Sequence, residues 1–147
     1  MRIFLSLLSG LLISGSVAAE GTVQVKSQHS VAMTADKLET VLNNKGMTVF
    51  NRINHSAGAE GVGIELRPTE LIIFGNPKVG SPLMLCAQAA AIDLPQKALI
   101  HEDKNGDVWL TYNDPAYLKG RHNIEGCDQV LQKVSGALAK FSKVATE

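Results

Sequence analysis

Asn105-Gly106 stands between two strand-like runs, Lys97 to Asp103 (KALIHED) and Asp107 to Tyr112 (DVWLTY). Both residue types tolerate the positive φ that a tight turn demands, so this is the strongest short hairpin signal a sequence offers. A two-residue turn would set Leu99 opposite Tyr112, His101 opposite Leu110 and Asp103 opposite Val108; a three-residue turn would shift that register. One antiparallel strand pair is therefore required, and every fold considered must contain it.

The other elements are read around this hairpin. Val23 and Val25 alternate with polar neighbours, as does Met47 to Ile53 (MTVFNRI), and each reads as a strand. Between them, Thr34, Leu38, Val41 and Leu42 recur at helical spacing from Ser30 to Lys45, with Gly46 as the stop. Ser56 to Gly63 is small and glycine-rich, hence a loop or an irregular short helix. Glu70 to Phe74 (ELIIF) reads as a buried strand ending at Gly75-Asn76-Pro77. Pro82 to Ala91 (PLMLCAQAAA) is apolar nearly all round and is expected as a largely buried helix. Asp114-Pro115 opens another, with aspartate as cap and proline at the first helical position. The last helix, about Glu125 to Lys143, lines up Cys127, Val130, Leu131, Val134, Leu138 and Phe141.

Strands separated by helices or loops, with one antiparallel pair, indicate a single α+β domain: a mainly antiparallel sheet of about five strands with helices mostly on one face. A doubly wound nucleotide fold is disfavoured, because Thr22 to Ser30 lacks the glycine fingerprint expected after its first strand.

The chain begins with Met1-Arg2 and an apolar stretch, Ile3 to Ile13, followed by Ser14-Gly15-Ser16 and the small residues Val17-Ala18-Ala19. This is the pattern of a cleaved export signal over residues 1–19, leaving residues 20–147 as one periplasmic domain with no membrane span. The 147-residue chain carries 14 basic and 14 acidic residues. Loss of Arg2 with the leader makes the mature chain only slightly acidic, which excludes a nucleic-acid partner bound through a basic surface. The two cysteines, Cys86 and Cys127, are too few for a disulfide-dense scaffold. Export makes a Cys86–Cys127 bridge the expectation, with both residues on buried faces; free buried thiols are the alternative. There is no CxxC for thiol exchange.

The stretches FNRINHSAGAEGVGIELRPTELIIFGNPKVGSPLM, AIDLPQKALIHED and WLTYNDPAYLKGRH resemble the bacterial "domain of unknown function 302" family. The resemblance runs from about Val23 to His122. It is carried by Phe74-Gly75-Asn76-Pro77-Lys78 together with Tyr112-Asn113-Asp114-Pro115 and Arg121-His122. It implies a small α+β fold and a homodimer, and brings no activity, substrate, cofactor or catalytic residue. His101 and Cys86 depart from the family's usual pattern, so any chemistry of Cys86 would be a local addition.

Gly75 to Ser81 sits between a strand and a helix and has the Gly-x4-Gly spacing of a phosphate loop, but Ser81-Pro82 replaces the lysine and hydroxyl residue that loop requires. A functional reading gathers His55, Asn76, Lys78, Tyr112, Asn113, Arg121 and His122 around one polar pocket at the strand ends. There they would bind a small molecule or an anion through arginine's planar fork, a lysine ammonium and amide or phenol hydrogen bonds. The competing reading gives these residues separate turn and capping roles. The histidines His29, His55, His101 and His122 form no HxH, HxxxH or HExxH spacing. A periplasmic metal- or haem-binding protein using His55 or His122 with Met84 or Cys86 is one alternative function, and an enzyme with a histidine general base is another. No residue is assigned a catalytic or metal-ligating role; Asp93, before Leu94-Pro95, is a plausible acid, with a cap or turn aspartate as the competing reading.

Overall fold

A computed structural model describes residues 19–147. The leader expected at residues 1–19 lies, but for Ala19, outside the described residues. Five strands, β1 (Thr22–Ser27), β2 (Thr48–Asn54), β3 (Thr69–Gly75), β4 (Gln96–Glu102) and β5 (Val108–Asn113), form one antiparallel sheet in the order β1-β5-β4-β3-β2. Five helices accompany them: α1 (Val31–Asn44), α2 (His55–Glu60), α3 (Pro77–Cys86), α4 (Pro115–His122) and α5 (Asp128–Thr146). A short 3-10 helix, Gln88–Ile92, follows α3. The fold is the α+β domain the sequence indicates.

Alternation decides which sheet face is covered. Ile72, Phe74, Ala98, Ile100, Leu110 and Tyr112 point to one side and are buried there beneath α1 and α5, which lie against each other. The other face carries half-buried Leu71, Ile73, Leu99 and Trp109. Capping explains where α1 and α4 start. Ser30 accepts the Met33 amide at 3.3 Å, and Asp114 accepts the Ala116 amide at 2.9 Å with Pro115 in the first turn.

Four expectations need correction. The hairpin register is Ala98↔Tyr112, Ile100↔Leu110, His101↔Trp109, one residue away from the two-residue-turn reading. Asp103 is the cause: its carboxylate accepts the Asn105 and Asp107 amides (2.8 and 3.0 Å) and the Trp109 indole N–H (3.0 Å), stabilising a three-residue turn with Gly106 at φ +82°. Partial desolvation pushes the Asp103 carboxyl up, but these donors outweigh it and hold it below the usual carboxylate range. The shift also moves His101 onto the face opposite Leu110, where its Nδ1 and the Thr111 hydroxyl are buried without a partner among the described residues.

The helix expected at Pro82 to Ala91 starts five residues earlier, because Asn76 caps it, accepting the Lys78 amide at 2.9 Å, with Pro77 at the first turn. It ends at Cys86, and it is not largely buried: Leu83 is its one buried residue and Leu85 is 89 % exposed. The last helix likewise begins after Cys127, which stands at its cap. Cys86 and Cys127 are bridged, with Cα atoms 6.4 Å apart, but only Cys127 is buried.

One charge network, anchored on the buried Glu70, fixes β2 to the helical layer. The Arg52 guanidinium donates to the buried Glu70 carboxylate (2.5 Å), to Asp36 (2.5 Å) and, at 3.5 Å, to Glu39. The Glu70 bond, opposed by desolvation and reinforced by Asp36, raises the Arg52 pKa. Arg52→Met should cost about 3 kcal/mol by stranding Glu70, while the double variant Arg52→Met/Glu70→Met should regain most of it in urea unfolding. Replacing both cysteines by serine should lower stability by about 4 kcal/mol, the loop-closure entropy for a bridge spanning a sequence separation of 41. Parallel denaturation of the oxidised and reduced wild type checks this without substitution.

An apolar cleft between α3 and α5

β3 ends at Gly75 just where the chain turns into α3, and β4 begins at Gln96 directly after the 3-10 helix. The α3 to 3-10 segment therefore leaves the sheet and returns to it, and α3 rests against α5. Because α3 buries so little, a gap of about 550 Å³ remains between the two helices. Its size is that of a small-molecule site.

The gap is walled by apolar side chains. Phe50, Phe74 and Phe141, all the phenylalanines of the described residues, line it, together with Leu83, Leu94 and Leu138. Phe50 is 54 % exposed, although it belongs to a strand. It sits at a break in the β2–β3 register between Val49 and Asn51, which turns its ring away from regular pairing. Across from it, Gly75 offers room: a Cβ there would lie 3.4 Å from both the Phe50 ring and Pro95.

Few polar groups reach this surface. Asn76 lines it but is committed, donating to the Gly46 carbonyl (2.9 Å) besides capping α3. Gln96, 7 % exposed, also lines it. Lys133, from α5, is the one charged residue of the lining.

The residues expected around one polar pocket separate into several places. Asn76 and Lys78 stand at the start of α3, with Lys78 exposed. His55 is exposed at the start of α2. Tyr112 is buried beneath the helices, and that burial pushes its phenol up. Asn113 is half-buried at the end of β5, before the α4 cap. Arg121 and His122 do meet, through Asp93, which the sequence offers as a plausible acid or as a cap or turn aspartate. Asp93 accepts from Arg121 at 3.4 Å, and its other oxygen lies 2.5 Å from His122 Nε2. His122 and Asp93 side chains are both nearly buried, and neither lines the cleft. Cys86, considered as a soft metal ligand, is consumed by the disulfide. No group of three or more histidine, cysteine or acidic residues among those described could hold a metal ion.

Comparison with known proteins bears on this geometry. A family model described as "Domain of unknown function DUF302" matches residues 23–141. The chain belongs to the DUF302 family. A solved structure, that of an uncharacterized conserved DUF302 protein from Bacillus stearothermophilus, superimposes with a TM-score of 0.77 at 18 % identity, covering 88 % of this chain and all of that one. That likeness concerns the fold. Proteins named "Fluoride-specific ion channel FluC 1" from Brucella suis and Brucella abortus are 49 % identical over 131 residues, covering 86 % of this chain but 52 % and 48 % of their own lengths. The chain thus spans about half the length of these curated relatives.

Two of the sequence stretches that carry the DUF302 resemblance converge on the cleft: Phe74 to Pro77 from the first, and Ala91, Leu94, Pro95 and Gln96 from the second. Missing from the sequence reading were Phe50, Gln96 and Lys133. Their only local signal was an aromatic and a glutamine within strand patterns and a lysine on a helix, none of which marks a cleft.

The third stretch acts at one remove, since Arg121 and His122 hold Asp93, the neighbour of the cleft residue Leu94. Asp93→Ala should cost about 2 kcal/mol, as expected for lost charge-assisted bonds. Asp93→Asn, which can still accept, should cost less; equal losses in thermal unfolding would refute this account.

Proposed function

We propose that this chain is an extracytoplasmic domain that binds a small, largely apolar molecule in the cleft between α3 and α5. The supporting observation is the combination in one gap of about 550 Å³ of three phenylalanines with only a few polar side chains, Asn76, Ser81, Gln96 and Lys133. Core residues of a well-packed domain do not leave such volume, and predominantly apolar sites with a few polar groups are what small-molecule binding uses. Placement outside the cytoplasm is supported by the export-signal pattern and by the Cys86–Cys127 bridge.

This reading narrows the small-molecule-or-anion expectation from the sequence. Arg121, the residue best suited to grip an anion, already faces Asp93, and Lys78 stands apart from it at the start of another helix. The channel activity named for the Brucella proteins is not part of the proposal. No helix among the described residues is long and apolar enough to cross a membrane.

The test is occlusion. Ala137 lines the cleft from α5, and Gly80 lines it from α3, where a Cβ would make only ordinary contact with Leu94. The wild type should bind the neutral apolar dye N-phenyl-1-naphthylamine saturably, with enhanced fluorescence. Ala137→Phe and Gly80→Leu should each weaken that binding about tenfold, equivalent to roughly 1.4 kcal/mol, with no loss of thermal stability. Undiminished dye binding in both variants would overturn the assignment.

A further inference from the structure

Charge is distributed unevenly around the cleft. The chain as a whole balances 14 basic against 14 acidic residues. The segment that forms one wall, Asn76 to Ile92, contains Lys78 and no acidic residue. The other wall, α5 beyond Asp128, carries Lys133, Lys140 and Lys143 and again no acid before Glu147. Of these, Lys143 has a carboxylate partner, Glu147, at 3.8 Å. Lys133, which lines the cleft directly, makes no ion pair among the described residues. Its exposed ammonium stands beside Val134 and one helical turn from Ala137, both of which line the apolar interior.

We propose that the ligand of this cleft is an anionic amphiphile: an apolar chain that fills the space among the phenylalanines, ending in a single acidic head that pairs with Lys133. The proposal rests on the cleft being the binding site and adds the class of molecule. Three observations carry it together. The lining is apolar, which selects a hydrocarbon body. Its one charged residue is a cation without a carboxylate partner, and the walls offer no acid that would repel an anionic head or attract a cationic one. A low-dielectric rim strengthens the pairing of Lys133 with an incoming anion over what the same lysine would achieve on open surface. A neutral amphiphile would leave that field unused, and a cationic one would be opposed by it.

Displacement of N-phenyl-1-naphthylamine tests the head group separately from the site. Dodecanoate, dodecyl phosphate, 1-dodecanol and dodecyltrimethylammonium share one tail, and each is added below its micelle-forming concentration. Dodecanoate or dodecyl phosphate should displace the dye at about fivefold lower concentration than dodecanol, the upper end for an exposed ion pair. The ammonium compound should be the weakest of the four. Whichever anion is preferred distinguishes a carboxylate from a phosphate head. Lys133→Gln should bring the anions to within about twofold of dodecanol, each displacement being normalised to that variant's own dye affinity. Lys133→Glu should invert the order in favour of the ammonium compound. Equal displacement by all four compounds, or an anion preference that survives Lys133→Gln, would overturn the anionic head while leaving the cleft as the site. A wild type that takes up no dye, including one whose native mass shows a second copy closing the cleft, would overturn both.

Discussion

The bond between Cys86 and Cys127 joins the last residue of α3 to the cap of α5, and so crosses the end of the cleft that those two helices form. Its weight becomes clear when α3 is considered without it. Burial of Leu83, the one fully sequestered side chain of the helix, is worth about 2 kcal/mol. Pro82, inside the helix, removes a backbone donor and weakens it further. A cross-link that removes about 4 kcal/mol of loop entropy from the unfolded chain therefore exceeds the contribution of that one buried side chain. A helix held mainly by packing would have settled onto the sheet and closed the gap. One tied to α5 at its end and capped by Asn76 at its start can stand away from the sheet.

The same balance explains why the sequence and the structure agree in some places and not in others. α1 and α4 were legible because their starts are set by a single local bond, Ser30 to the Met33 amide and Asp114 to the Ala116 amide. The sheet was legible because alternation in β3 and β5 reflects one covered face. The hairpin register was not, because Asn105-Gly106 fixes only that a turn exists. Its length was decided by Asp103, whose carboxylate collects three donors. For α3, composition suggested burial, but no neighbour was available to cover Leu85, which is largely exposed. The cleft was illegible for the same reason. It is bounded by residues from β2, α3, β4 and α5, and nothing local in Phe50, Gln96 or Lys133 records that they face one another.

The segments that carry the DUF302 resemblance also acquire distinct mechanical meanings. Phe74 to Pro77 and Leu94 to Gln96 are the two points where the chain leaves and rejoins the sheet, and both form the cleft directly. Asp114-Pro115 and Arg121-His122 begin and end α4, which contributes nothing to the lining. They are connected to it by Asp93. Arginine and histidine in the last turn of α4 offset the dipole of that helix and, at the same time, grip the carboxylate immediately preceding Leu94. The choice between capping roles and a shared site therefore dissolves for Arg121 and His122. They terminate one helix, and by holding Asp93 they also fix the return path of the chain into β4. The cleft then has two independent restraints, a covalent one on the α5 side of α3 and an ionic one behind Leu94. Packing alone specifies neither wall, which is why an open apolar surface can persist in a domain whose remaining core is tightly buried.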